Sequence, residues 1–328
     1  MKNSSLLITI LLVLSIACGG NETSDLPDDP EKQKLEEKIK ITSINFKDSN
    51  LRDCIMALGK NYAVEVSVLE CNSKNIEFLE GIQHFTNLTE LKLSSNQISD
   101  VSQLSDLTKL QFLFLTSNLI SDLTPLNSLQ QLSLLGLGEN QIVDLTPIKA
   151  SANLTELYID DNQISSFAPI LGLQKLSKIR ISYNPLETLS GISNFIRLKK
   201  LYADSVQLSD EDLLEISTMT NLSELTLAGN QLTNINPIKN LIELLFLVLS
   251  GNAITDVCEL KWLDKLQALW IQSNQLTMGV NCLVTLTNIS PQFKIQLEGN
   301  SMLPCDQVNS LASELGESRV VRPAQCPL

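Results

Sequence analysis

The sequence predicts an α/β solenoid: a right-handed superhelix of short coils with one parallel β-sheet on its concave side, an N-terminal helical cap and disulfide-closed ends. Three observations carry this. Asn recurs every 22 residues at 96, 118, 140, 162 and 184, resumes at 230, 252 and 274, and returns in a weaker copy at Asn300. A Leu-x-x-Leu-x-Leu run precedes each Asn, as Leu88, Leu91 and Leu93 precede Asn96. An apolar residue follows two places on, as in Ile98, Ile120 and Ile142. A fixed period of this size marks a repeat architecture, in which each coil buries its apolar side chains against its neighbours.

The N-terminus reads as a targeting segment. Lys2 supplies a positive start, and Leu6 to Ile16 is an apolar run too short to span a bilayer. It ends in Leu14-Ser15-Ile16-Ala17-Cys18. That ending resembles the lipobox of bacterial lipoproteins, with Leu14 one place early, and implies cleavage after residue 17 and lipidation of Cys18. The plain alternative is an ordinary cleaved signal peptide followed by an incidental Cys. Gly19, rather than Asp, follows Cys18. By resemblance to lipoprotein sorting in bacteria with two membranes, that favours the outer membrane or cell surface. Residues 18–40 are rich in Asp, Glu, Lys, Pro and Gly. Such a composition buries no core and reads as a flexible tether.

A solenoid exposes raw core at its ends and needs caps. Residues 41–65 form the expected N-terminal cap. Within it, 48–59 reads as a helix with Leu51, Cys54, Ile55 and Leu58 on one face, Asp48 or Ser49 at its start and Gly59 at its end. The repeats run from 66 to 300, and 301–328 forms the C-terminal cap.

Within each coil, Leu-x-x-Leu-x-Leu places apolar side chains on the inner face of a short strand. The Asn lies where the chain turns, and its amide can bond backbone groups that a buried turn leaves unpaired. Segments such as Ser121-Asp-Leu-Thr-Pro-Leu126 make the outer turn, where Pro costs no ladder donor. The pattern breaks twice. Val206 takes an Asn slot, and the next Asn comes 24 residues later, with 209–216 reading as a helix capped by Ser209. The gap from Asn274 to Asn300 is 26 residues. That excess is either an insertion tolerated on the convex side or a local change that shapes the concave face.

Six Cys remain beyond Cys18, an even count in an exported chain. Cys54 on the cap helix and Cys71 in an inward strand slot face each other, which suggests Cys54–Cys71. Cys258 and Cys282 occupy similar places on adjacent coils, within reach of a disulfide. Cys305–Cys326 is then the remaining pair. Buried free thiols are the alternative, Cys71 foremost.

The chain carries a formal net charge of −13 and only five Arg, a poor match to a phosphate backbone, so no nucleic-acid partner is expected. Its one His, His84, stands in an outer turn and leaves little for a Ser-His-Asp arrangement or a His-rich metal centre. No phosphate-binding Gly loop and no Cys-x-x-Cys occur. The expectation is a non-enzyme with no catalytic residues, no cofactor and no metal.

The repeat register also names the outward residues. With Leu88, Leu91 and Leu93 inward, Glu90, Lys92 and Ser94 face the concave side. Early coils present Phe112, Phe114, Leu134 and Tyr158, with Gly136 and Gly138 leaving room. The middle presents Glu156, Asp160, Lys178, Arg180, Lys200, Tyr202 and Asp204. Later coils present Phe246, Val248 and Trp270. Exposed aromatics on such a face have the character of binding hot spots, with Phe112, Phe114 and Tyr158 expected as one cluster. The alternative is that they stack along the sheet as neighbours.

The 22-residue period, the Asn-x-Ile-x-Asp-Leu-x-Pro-Leu phrasing and the N-terminal cap resemble the internalin-type bacterial leucine-rich repeats over about 45–306, or four-fifths of the chain. The resemblance implies a preformed concave binding surface. Together these readings point to a lipid-anchored binding protein on a bacterial envelope, with a protein partner and a membrane link only through its anchor. A structural scaffold of the envelope is the second reading, and an intracellular regulatory scaffold the third.

Overall fold

The computed structural model describes residues 38–186 and 188–327. Cys18, the 1–17 signal segment and most of the 18–40 tether lie outside the described residues. Twelve short strands form one sheet in strict chain order. They are β1 (Val68–Glu70), β2 (Glu90–Lys92), β3 (Phe112–Phe114), β4 (Leu134–Gly136), β5 (Glu156–Tyr158) and β6 (Lys178–Arg180). Then come β7 (Lys200–Tyr202), β8 (Glu224–Thr226), β9 (Phe246–Val248), β10 (Ala268–Trp270), β11 (Ile295–Gln296) and β12 (Val320–Val321). All pairings are parallel, and the register is the repeat itself: Glu90 opposes Phe112, and Phe112 opposes Leu134. An open sheet of parallel strands, each returned by a turn on the far side, is the solenoid expected from the sequence.

The core is a continuous column of Leu and Ile. Leu88, Leu91 and Leu93 are fully buried, as are their counterparts in each later coil. Short 3-10 turns close the convex side. In Thr124–Ser128, Pro125 occupies the first turn and the Asp122 carboxylate accepts from the Thr124 N–H.

The Asn ladder fastens the coils together. Asn118 Nδ2 donates to the carbonyls of Leu93 and Leu115, each at 3.0 Å, and its Oδ1 accepts from Ile98 N at 3.0 Å. The residue before each Asn turns left-handed, as Ser117 and Glu139 do. That conformation swings the Asn side chain beneath the preceding coil.

At Val206 the ladder is interrupted, and the chain compensates. Leu186 N, which an Asn at 206 would have received, donates to Asn184 O at 2.9 Å. Pro185 brings no N–H to the same corner. Asn230 spans the longer gap, accepting from both Val206 N and Leu208 N.

The helix α2 runs from Asp212 to Ile216, shorter than the expected 209–216, and Ser209 does not cap it. Ser209 instead donates, through N–H and hydroxyl, to the Asp212 carboxylate. The cause lies in Asp210, whose carboxylate receives the N–H groups of Thr233 and Asn234 in the next coil and keeps that stretch out of the helix.

The N-terminal cap helix α1 spans Ser49–Met56. Asp48 caps it by accepting from Asn50 N and Leu51 N. Its other oxygen accepts from Glu77 N and Phe78 N of the first coil, so one carboxylate locks cap to repeat. Leu51 and Ile55 are buried, but Leu58 is not on the inward face as expected. The helix ends at Met56, and Leu58 falls in the exposed turn to Gly59. Ile39 and Lys40 already pair with residues 61–63.

At the other end, α3 (Cys305–Leu315) lays Val308, Leu311 and Leu315 over the last coil. β12 then adds to the sheet beyond residue 300. The structure joins Cys54 to Cys71, Cys258 to Cys282 and Cys305 to Cys326, with Cα separations of 6.0, 5.0 and 5.2 Å. The first and last close the two caps, and the middle pair ties adjacent coils on the convex side.

Candidate functional site

Every residue named as outward by the sequence register stands at an outward strand position, half-buried or exposed, apart from Gly136 and Gly138, which are buried. Three regions follow one another along the sheet.

In the early coils Phe112 is exposed, and Phe114 and Leu134 are half-buried. The room at Gly136 is bounded by its neighbours: a Cβ there would stand at ordinary contact distance, 3.5 Å from Phe114 Cδ1 and 3.4 Å from Thr116 Oγ1. Tyr158 lies one strand beyond Gly136 in the row of Phe114, and among the described residues no stacked or edge-to-face ring pair joins it to either phenylalanine. Its hydroxyl donates to Glu156, and Lys178 Nζ sits 4.8 Å from its ring centre. Glu156 on its own strand and Lys178 on the next tie Tyr158 to the middle region.

That middle region is a network. Lys178 also stands 5.7 Å from the Tyr202 ring, as does the Arg180 guanidinium. Arg180 pairs with Asp160 at 3.2 Å, and Lys200 pairs with Glu224 at 2.6 Å. Tyr202 donates its hydroxyl to Glu224. Asp204 accepts from Thr226 Oγ1 at 2.9 Å and Ala228 N at 2.7 Å. Burial, reinforced by Glu156 and Glu224 respectively, pushes both tyrosine hydroxyls far above the ordinary phenol value. Burial also raises the Asp160 carboxyl against the pull of Arg180. At Glu224 burial pushes upward too, but bonds from Lys200 and Tyr202 prevail and hold the carboxyl low. The tyrosines therefore remain neutral donors at physiological pH.

The late region holds a residue that the sequence reading missed. Phe293 packs edge-to-face on Phe246, with ring centres 5.3 Å apart at 83°. Its carbonyl accepts from Trp270 Nε1 at 3.1 Å. The signal was the 26-residue gap. Leu266 precedes Leu269 by three residues, but Ile289 precedes Ile295, the partner of Leu269, by six. The extra residues fold into a turn, with Phe293 N and Lys294 N both donating to Ser290 O, immediately before β11. Most of the insertion thus sits at a strand entry rather than on the convex side, and it carries Phe293 onto the concave face.

Among the described residues, no three His, Cys, Asp or Glu side chains gather as metal ligands. No described helix is long and apolar enough to cross a membrane. The surface offers aromatic contact at two ends, oriented hydrogen-bond donors between them, and a backbone already in place.

Comparison with known proteins agrees with this architecture. The family model for leucine-rich repeats (two copies) matches residues 86–128. A search of curated proteins gave no sequence match. Among solved structures, internalin C2 of Listeria monocytogenes is 31% identical, with 66% of this chain and 99% of that one covered and a TM-score of 0.61. The internalin InlF of the same species is 24% identical over 89% of this chain and 98% of its own, with a TM-score of 0.61. A leucine-rich-repeat protein of Leptospira interrogans is 24% identical over 77% of this chain and 71% of its own, with a TM-score of 0.64. With its repeat period, parallel concave sheet and capped ends, the chain belongs to the internalin-type bacterial leucine-rich-repeat proteins.

Proposed function

We propose that the chain is a non-catalytic binding protein of a bacterial envelope, holding a protein partner on its concave face and anchored through a lipid on Cys18. The observation that carries the binding reading is the pairing of two aromatic ends, Phe112 with Phe114 and Phe246 with Phe293 and Trp270, on one rigid sheet. Large aromatic side chains at an interface centre carry a disproportionate share of binding energy. A solenoid whose coils are bonded by an Asn ladder is ordered before the partner arrives, which lowers the entropic cost of association. The middle network fixes orientation more than affinity, because Arg180 and Lys200 are already paired with Asp160 and Glu224 within the protein. The Cys18 anchor rests on the lipobox resemblance, and the acidic residues of 18–40 suit a spacer that holds the solenoid off a surface.

Affinity capture from envelope and host-surface extracts tests the reading. A Phe112→Ala/Phe114→Ala variant should lose the partner that the parent protein captures. If it folds normally and captures that partner equally well, the concave-face reading fails. Metabolic labelling with a lipid analogue should be abolished by Cys18→Ala; labelling that persists removes the anchor.

A further inference from the structure

The cations of this acidic chain are unevenly placed. Six of its 24 Lys and Arg fall between residues 175 and 200, where Glu187 is the only acid. None occurs at 110–148 or 201–238. The repeat stacks five of the six at the entry side of two neighbouring strands. Lys178 and Lys200 are direct partners across β6 and β7. Lys175 and Arg197 stand 22 residues apart at the rim position before those strands, and Lys199 adjoins Lys200. Arg180 lies at the exit side, paired with Asp160.

Few of these five are neutralised. Lys200 pairs with Glu224, Lys175 bonds only the neutral Asn153 amide oxygen at 2.7 Å, and Lys178 rests between two tyrosine rings. Arg197 and Lys199 are exposed and make no ion pair among the described residues. Adjacent parallel strands lie about 4.8 Å apart, so the charges occupy a spot only about 10 Å across. Acids border the spot: Glu156 one strand before, Glu224 one strand after, and Asp160 and Asp204 toward the strand exits.

We propose that this rim is the docking point for a short acidic segment of the protein partner, two or three clustered carboxylates seated on Lys175, Lys178, Arg197, Lys199 and Lys200. The inference rests on the concave-face reading above and adds the chemistry of the partner to it. A concentrated patch of one sign on a molecule of the opposite net charge steers and orients a complementary group. The bordering acids set the length: a sulfated glycan or other extended polyanion would have to cross Glu156 and Glu224, whereas a compact carboxylate cluster need not.

The test uses the whole protein and a dye-labelled, end-blocked heptapeptide containing three consecutive glutamates, followed by fluorescence anisotropy. The heptapeptide should bind, more weakly as salt rises. Arg197→Ala/Lys199→Ala should weaken it at least tenfold. Lys109→Ala/Lys149→Ala removes the same charge at exposed positions outside the patch and should change binding less than twofold. Absence of peptide binding, equal weakening by both double variants, or tighter binding of a heparin octasaccharide through Arg197 and Lys199 overturns the proposal. If the heptapeptide fails while partner capture stays sensitive to Phe112→Ala/Phe114→Ala, this inference falls and the concave-face reading stands.

Discussion

Replacing Asn118 by Ala removes one rung of the ladder, and the neighbouring rungs determine the cost. The two carbonyls that Asn118 serves each keep a second donor: Leu93 O retains Asn96 Nδ2 and Leu115 O retains Asn140 Nδ2. Ile98 N has no such reserve, since Asn118 Oδ1 is its acceptor and the site is buried. An orphaned buried donor costs about 1–3 kcal/mol, and each lost second bond to a carbonyl about 0.5 kcal/mol or more, so Asn118→Ala should destabilise by about 2–4 kcal/mol. Asn118→Asp should cost at least as much. It keeps the acceptor but aims a carboxylate oxygen at two carbonyls. Val206→Asn, which completes the ladder on paper, should bring no gain: Leu186 N is already bonded to Asn184 O, and a buried Val is lost. Urea unfolding followed by circular dichroism measures all three, and residue-resolved hydrogen exchange should show protection of the Ile98 amide falling in Asn118→Ala. An Asn118→Ala protein within about 0.5 kcal/mol of the parent, below the least cost of an orphaned donor, would refute the reasoning.

Three further outcomes follow from single contacts. At Asp48, burial pushes the carboxyl up, but four backbone N–H groups outweigh it and hold the value below that of a free Asp. Its contribution to stability is therefore complete above the unfolded Asp value and drains as pH falls through the folded one, so Asp48→Asn should flatten acid unfolding curves and cost about 1–2 kcal/mol at pH 7. At Gly279 the backbone is left-handed at φ 85°, and a Cβ would collide with the Asp256 carboxylate and stand 2.7 Å from Cys258 N. Gly279→Ala should lower stability by about 2 kcal/mol or more in the same urea assay. Phe293→Ala strips the edge-to-face partner from Phe246, and partner affinity should fall about tenfold, read by surface plasmon resonance once a partner has been captured.

The parts legible in the sequence were those that the period controls. Leu91 fixes Leu113 and Leu135 because each coil repeats the same burial, and from that column the outward places of Phe112, Arg180 and Trp270 follow by alternation alone. The inward slot of Cys71 came from the same counting. Residues outside the period were illegible for a physical reason. Phe293 belongs to a turn whose side-chain direction depends on where three extra residues are absorbed, and no repeat copy specifies that. Ser209 carries the right chemistry for a helix cap, yet Asp210 is committed to amides 23 and 24 residues away, a tertiary bond that overrides the local preference. The contacts of Tyr158 with Lys178 and Glu156 were illegible too, because alternation gives a side chain's face of the sheet but not the direction in which it leans. The lean follows charge, and Lys178 and Glu156 supply it.

The same arithmetic that places residues also sets the geometry of recognition. Phe112 lies on β3, Lys178 on β6 and Phe246 on β9, all in one row across the sheet. Three strand spacings separate each from the next, about 14 Å on either side of the cation at about 4.8 Å per strand. Because each strand is held to the next by ladder bonds and by a shared core, these intervals change little on binding. On the proposed concave-face reading, a partner that engages all three regions would present apolar groups about 29 Å apart with negative charge midway, and one with the right groups at the wrong spacing would gain only one of the three contacts. Inserting one whole 22-residue coil between β8 and β9 preserves every side chain in the two aromatic ends and in the cationic rim while moving the ends by about 5 Å relative to each other. Such a protein should fold, since solenoid coils interact only with their neighbours, and should bind the heptapeptide with three consecutive glutamates through its cationic rim as the parent does. Its affinity for a partner that engages both ends should fall at least tenfold in the resonance assay. Unchanged affinity would mean that the aromatic ends act independently and that the spacing carries no information.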